Sequence, residues 1–177
     1  MPERQMVIVT GQEGAGKSTL VRALLPHTPR GARIDAEDLG QVNPWVMDDA
    51  FGELLRANVA ALAENFWRAG YRTVLAGSFL DDHAEYLRFR PLVDTDAHMY
   101  VVQLCAAKPV RDLRRVRRSK PSSPQWRDRV DLACPEDASL AAAPGADYRY
   151  LRIDNDAETV AESVRRIAAA FPEVFSG

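Results

Sequence analysis

Apolar positions along the chain fall into two alternating patterns. Met6-Val7-Ile8-Val9 is an unbroken apolar run that stops before Gly11, and it predicts a short buried strand. Lys17 to Leu25 has a helical period closed by Pro26, and Gly31 to Asp35 reads as a second, weaker strand. From Asp48 to Ala69, Phe51, Leu54, Leu55, Val59, Leu62 and Phe66 recur at three- and four-residue steps. That spacing predicts a long amphipathic helix, stopped by Gly70. Thr73 to Ala76 predicts a third strand ended by Gly77, followed by a short helix over Asp81–Arg88. Met99–Cys105 predicts a fourth strand, Val110–Arg118 a helix, and Tyr148–Ile153 a fifth strand. A last helix runs from Thr159 to Phe171, capped by Asp156 or Glu158, with Pro172 just beyond it. Strands separated by helices imply an α/β fold, with a parallel sheet covered on both faces.

Two stretches break the pattern. Lys120-Pro121-Ser122-Ser123-Pro124 reads as a linker-like loop, because two prolines cannot sit inside a helix or a central strand. Ala141 to Gly145 reads as a second loop before the last strand. Neither marks a boundary, since the C-terminal piece is too small to fold alone. The 177 residues are expected to form one domain, 1–177.

Charge narrows the partners. Twenty-three Lys and Arg against 25 Asp and Glu leave no excess of positive charge for a general nucleic-acid coat. No apolar run approaches the roughly 20 residues of a membrane span, and the Met1-Pro2-Glu3-Arg4 start does not look like a signal peptide. Cys105 and Cys134 are too few for a disulfide framework and suit a reducing compartment, so a cytoplasmic protein is expected.

The chemistry concentrates in Gly11-Gln12-Glu13-Gly14-Ala15-Gly16-Lys17-Ser18, which matches G-x-x-x-x-G-K-[ST] between a buried strand and a helix. Glycines let the backbone curl so that successive N–H groups face a phosphate, and the helix N-terminus adds its partial positive charge. In such a loop Gly11, Gly14, Ala15, Gly16 and Thr19 supply the cradle. Lys17 bridges the β- and γ-phosphates, and the Ser18 hydroxyl ligates Mg²⁺.

From Met6 to Phe171 the order of elements resembles the small P-loop kinases. These include shikimate, gluconate, adenylylsulfate and nucleoside monophosphate kinases, chloramphenicol phosphotransferase and the kinase domain of polynucleotide kinases. The resemblance implies a three-layer P-loop NTPase sandwich whose five-stranded parallel sheet has the order 2-3-1-4-5. It also implies ATP (or GTP) and Mg²⁺ as cofactors, an acceptor-binding region at about 36–58 and an arginine-bearing lid at about 114–130. Many members end the third strand with an Asp that helps hold Mg²⁺; here Ala76 or Gly77 stands there.

On the acceptor side, Asp35 at the end of the second strand is placed to ligate Mg²⁺ or to accept a proton from an acceptor hydroxyl, as the corresponding Asp does in those kinases. It also fits a helix cap, as does Asp38. Residues 35–53 hold six acids and no Lys or Arg. That disfavours an anionic acceptor and suits a neutral or amine-bearing one, unless Arg56 or Arg68 reaches in. Trp45 could stack on the acceptor but reads better as core. His83 could accept a proton, though a surface role competes, and Asp81 or Asp82 reads as a helix cap.

Residues 111–120 carry six basic residues and one acid. Arg111, Arg114, Arg115 and Arg118 share one helical face, with Leu113 and Val116 anchoring a narrower apolar side. The resemblance makes these lid arginines clamps for the nucleotide phosphates, Arg114 and Arg118 first and Arg115 third. A solvated face or a nucleic-acid patch are the competing readings. The adenine pocket is expected between this helix and Asp154-Asn155-Asp156.

The expected activity is transfer of the γ-phosphoryl group to a hydroxyl of a small neutral or amine-bearing metabolite or antibiotic. Lys17, Asp35, Arg114 and Arg118 are the catalytic candidates, Arg114 also contacts the nucleotide, and Ser18 and Asp35 are the metal ligands. A nucleotide or polynucleotide kinase, or a nucleotide-binding regulator with weak ATPase activity, is the alternative. A small-molecule acceptor and a nucleoside triphosphate are the expected partners; a homodimer is compatible with all of these readings.

Overall fold

In the computed structural model of the chain, which describes residues 3–176, all five strands are parallel and lie in the order β2-β3-β1-β4-β5. They are β1 (Gln5–Thr10), β2 (Gly31–Asp35), β3 (Thr73–Gly77), β4 (His98–Cys105) and β5 (Tyr148–Asp154). The expected sheet order is the observed one.

Side chains alternate across a strand, so one sequence feeds two cores. Met6 and Ile8 of β1 face one layer with Ile34, Val74, Ala76, Met99 and Val101. Val7 and Val9 face the other, with Leu75, Tyr100, Val102 and Leu104. The first core is covered by α3 (Asp49–Arg68) and α4 (His83–Phe89), through Val59, Ala63, Trp67, Tyr86 and Phe89. The second is covered by α1 (Lys17–Leu24) and α8 (Val160–Ala170), through Leu20, Val21, Leu24, Val164 and Ile167. Each such large side chain contributes about 1.5–3 kcal/mol on burial, so the three central strands hold the loops at their carboxyl ends on a rigid base. All residues of β1 and β3 are buried, whereas the edge strand β5 is mostly half-buried or exposed.

The remaining helices are α2 (Ala36–Leu39), α5 (Lys108–Val116), α6 (Pro124–Ala133), α7 (Ser139–Ala142) and α9 (Pro172–Phe175). Two of them overlie stretches read as loops. The Pro-Ser-Ser-Pro run is a helix start: the Ser123 side chain accepts from the Trp126 N–H at 3.2 Å, and Pro124 occupies the first turn, where its missing N–H has no cost. A short helical turn, α7, covers part of the second loop. The cap of α8 is Thr159, in a reciprocal capping box with Glu162; Asp156 instead accepts from the Ala107 N–H at 2.7 Å.

Helix α5 corrects the expected amphipathicity. Leu113 and Val116 are about half exposed, while Arg111 and Arg115 are buried at 4% and 0% exposure. Charge pairing reverses the pattern. Asp131 of α6 accepts from Arg111 at 2.6 Å and from Arg115 at 2.5 Å, and Asp112 accepts from Arg115 at 3.1 Å. Burial pushes the Asp131 carboxyl up, but the two guanidinium partners outweigh it and hold the group well below the ordinary 3.8.

Removing the carboxylate in Asp131→Ala leaves Arg115 buried without its main partner, and denaturant unfolding is expected to show a loss of about 3 kcal/mol. Because the folded pKa is depressed, this stabilisation is fully present above about pH 4 and fades as pH falls through the folded value. Asp131→Asn is therefore expected to flatten the acid limb of the stability–pH curve in that window.

Candidate functional site

A chain curled with its N–H groups inward turns its carbonyls outward, and each carbonyl needs a donor. Gly11, Gly14 and Gly16 all adopt positive φ, at 135°, 85° and 104°. Gly11 and Gly14 also lack room: a Cβ would lie 2.3 Å from the Leu104 carbonyl oxygen and 2.8 Å from that of Arg111, respectively. Lys17 Nζ donates to the carbonyls of Gly11 at 2.6 Å and Gln12 at 3.2 Å. The Glu13 carbonyl accepts from Arg115 Nε and Nη2, at 3.0 and 2.7 Å, and from Arg111 at 3.3 Å. The Ala15 carbonyl accepts from Asn155 Nδ2 at 2.8 Å and Arg114 at 3.2 Å. Thus Arg111 and Arg115 do not line a phosphate site; they hold the outer side of the loop. Asn155 does likewise, and the sequence offers no local signal for it, because it lies 140 residues from Ala15 and its only mark is its place after a strand.

Arg114 and Arg118 sit differently. Arg114 also donates to the Asn155 carbonyl at 2.8 Å, and Arg118 pairs with the Glu13 carboxylate at 3.1 Å. Both line a cleft of about 340 Å³ with Gly14, Gly16, Thr19, Asn155 and Val160. This is the space between α5 and the loop after β5 where an adenine pocket is expected.

A second cleft of about 560 Å³ joins the loop to the end of β2. Lys17, Ser18, Asp35, Glu37, Ser78 and Arg118 line it, together with Arg22 and Lys120. Asp35 is both cleft wall and cap: its carboxylate accepts weakly from the Glu37 N–H at 3.4 Å and lies 3.9 Å from Arg33. Burial lowers the Lys17 ammonium from its ordinary 10.5, and the carboxylates of Asp81, Glu37 and Glu13 pull it back up. Asp81 is the strongest of these opposing charges. Asp82, not Asp81, caps α4, accepting from the Glu85 N–H at 2.7 Å. Asp81 stays free of capping beside Gly11, Gln12 and Cys134, in a small recess of about 10 Å³. Burial of the carboxyl raises it above its ordinary 3.8, against the opposing pull of the Lys17 ammonium.

Other candidates move away from the cleft. His83 lies at the start of α4, 3.2 Å from the Tyr148 hydroxyl, its ring stacked on Tyr86. Arg56 is buried and pairs with Glu85 at 3.5 Å; Arg68 is exposed and bonds Asn65. Trp45 is not core: it is 47% exposed and meets Phe51 edge-on, in a strip with Val42, Val46, Met47 and Leu54. Burying such a strip needs a partner element, and the residues around it carry the acids of the 35–53 segment.

No group of three or more His, Cys, Asp or Glu side chains among the described residues converges as a metal cage. Ser18 and Asp35 are hard oxygen donors, which fits an ion held mostly by water and phosphate oxygens, as Mg²⁺ commonly is. No helix among the described residues is long and apolar enough to cross a membrane.

No protein-family model and no curated protein sequence matches the chain. Solved structures do. A sugar kinase from Janibacter sp. HTCC2649 superposes with a TM-score of 0.72 at 16% identity, over 99% of this chain and 100% of that one. A gluconokinase from Sinorhizobium meliloti 1021 gives 0.67 at 15% identity, over 99% and 95%. Kti12 from Chaetomium thermophilum, solved with ADP-AlF3, gives 0.61 at 16% identity, over 97% and 100%. The fold is that of the P-loop small-molecule kinases.

The cradle's dependence on glycine is testable by comparing two sites. Gly16→Ala meets only open space, 3.8 Å from Asn155, so positive φ alone should cost about 1–2 kcal/mol. Gly11→Ala adds a clash with the Leu104 carbonyl and is expected to lower the thermal unfolding midpoint distinctly further.

Proposed function

We propose that the protein is an ATP-dependent kinase that transfers the γ-phosphoryl group to a hydroxyl of a small neutral or amine-bearing molecule, a metabolite or an antibiotic. One observation carries this reading: the phosphate loop, Lys17, Ser18, Asp35 and Arg118 open onto a single cleft. The amides from Gly14 to Thr19 receive phosphate oxygens, and Lys17 leaves the Gly11 and Gln12 carbonyls to meet the β- and γ-phosphates. Ser18 and Asp35 are the residues that would hold Mg²⁺, which when bound neutralises charge on the phosphate oxygens. Asp35 orients the acceptor hydroxyl or takes its proton. Arg114 secures the nucleotide, and Arg118 exchanges the Glu13 carboxylate for the charge that develops on the transferring group. The acidic 35–53 segment and the exposed Trp45 strip favour an uncharged or cationic acceptor over a nucleoside monophosphate or a polynucleotide end. The sugar kinase and gluconokinase neighbours are in keeping with a hydroxylated acceptor. GTP in place of ATP leaves this chemistry unchanged, and a cytoplasmic site of action suits the two unbridged cysteines.

The end of β3 favours a second reading. Ala76-Gly77-Ser78 offers no carboxylate at that position, which suits a nucleotide-binding regulator with weak ATPase activity.

The two readings separate in one assay, which follows label from γ-³²P-ATP into a panel of hydroxylated sugars and aminoglycosides. A kinase yields a labelled acceptor, whereas a regulator yields only labelled phosphate. Lys17→Ala should abolish transfer while the far-ultraviolet circular dichroism is retained. Asp35→Asn should lower kcat by about 100-fold or more with little change in ATP affinity; equal losses in both would remove its role.

A further inference from the structure

Ser78 carries two separate costs in the folded chain. Its φ is +68°, a region where a side chain is strained. Its Oγ is buried and has no hydrogen-bond partner among the described residues, which costs the desolvation of the hydroxyl. The turn itself is imposed by the fold, because β3 is buried up to Gly77 and the chain must then bring Phe79 and Leu80 back into the core, at 6% and 2% exposure. Glycine would make that turn without strain. The sequence instead places glycine one residue earlier. At Gly77 the backbone φ is not positive, but a Cβ would meet Val21 at 3.2 Å, the Val9 carbonyl at 3.3 Å and Lys17 Cβ at 3.9 Å. So Gly77 lets the strand end pack against the first turn of α1, and Ser78 is held directly beyond it. Its neighbours across the cleft are Lys17, Ser18, Asp35, Glu37 and Arg118.

We infer that Ser78 is a ligand-binding residue of this cleft, whose hydroxyl bonds an oxygen of the terminal phosphate of a bound nucleoside triphosphate. The inference rests on the nucleotide-binding reading above and adds to it a residue that tells triphosphate from diphosphate. The unpartnered Oγ has a lone pair and a rotatable O–H, so it can donate to a phosphate oxygen without moving the backbone. A phosphate oxygen is also the partner that recovers most of the cost of burial, since hydrogen bonds to charged groups are the stronger ones. Held by the turn after a buried strand, Ser78 lines the cleft that holds Lys17 and does not line the adenine-side cleft.

The test uses the full chain, with Mg·AMP-PNP and Mg·ADP as probes in calorimetry and denaturant unfolding alongside. Ser78→Gly removes both the strain and the hydroxyl; Ser78→Ala removes the hydroxyl and keeps the strain. Both variants are expected to bind Mg·AMP-PNP about 10-fold more weakly or worse, with Mg·ADP affinity unchanged. Ser78→Gly is expected to be at least as stable as the parent chain. Unchanged AMP-PNP affinity in both variants overturns the inference, as does an equal loss for both nucleotides together with lower stability, which marks a structural role. If the parent chain binds neither nucleotide, the nucleotide-binding reading itself fails and the inference with it.

Discussion

A loop that presents amides to an anion must satisfy its own carbonyls from behind. In this protein four side chains do so, Arg111 and Arg115 on Glu13 and Arg114 and Asn155 on Ala15, while Lys17 meets the Gly11 and Gln12 carbonyls from the cleft side. Positive φ at three glycines makes the curl sterically attainable, and these donors stabilise it. The placement of α5 and α6 follows from the same requirement. Buried guanidinium groups need carboxylates, and Asp131 and Asp112 supply them, so α6 is fastened to α5 and α5 to the loop. Two further ion pairs extend the fastening, an exposed one from Lys108 to Asp128 and a more buried one from Arg127 to Asp112.

This arrangement divides the basic cluster of 111–118 by function. The arginines of α5 and of the turn just after it point in two directions: Arg111 and Arg115 toward the outer side of the loop, Arg114 and Arg118 toward the clefts. The first pair are saturated by protein carbonyls and carboxylates. Arg118 has one exchangeable partner, the Glu13 carboxylate, whose second oxygen is buried without a hydrogen bond. The Glu13 carboxylate also faces Arg115 at 3.9 Å.

Much of the fold is legible in the sequence because its signals are local. The unbroken apolar run of Met6–Val9, the spacing of the 48–69 helix and the glycine pattern of 11–18 each depend on neighbours a few residues away. What is not legible depends on distant partners. Leu113 and Val116 look like a helix's inner face until Asp131 draws Arg111 and Arg115 inward. Trp45 looks like core by composition, but no element covers it. Proline and serine at 121–124 look like a linker, yet serine before proline is equally a helix cap, and only the chain after it decides. Asn155 and Ser78 are marked in the sequence only by their places just after strands. One is recognised by the carbonyl it holds, the other by the strain it bears.

The central claim is that the main-chain amides of 14–19 form an anion cradle, and amide NMR reads it directly. On titration of the ¹⁵N-labelled chain with Mg·ADP, the account predicts large downfield proton shifts for the amides of Gly14 to Thr19, saturating together with shifts at Asn155. Saturable shifts confined to another surface, or none at millimolar nucleotide, would contradict it.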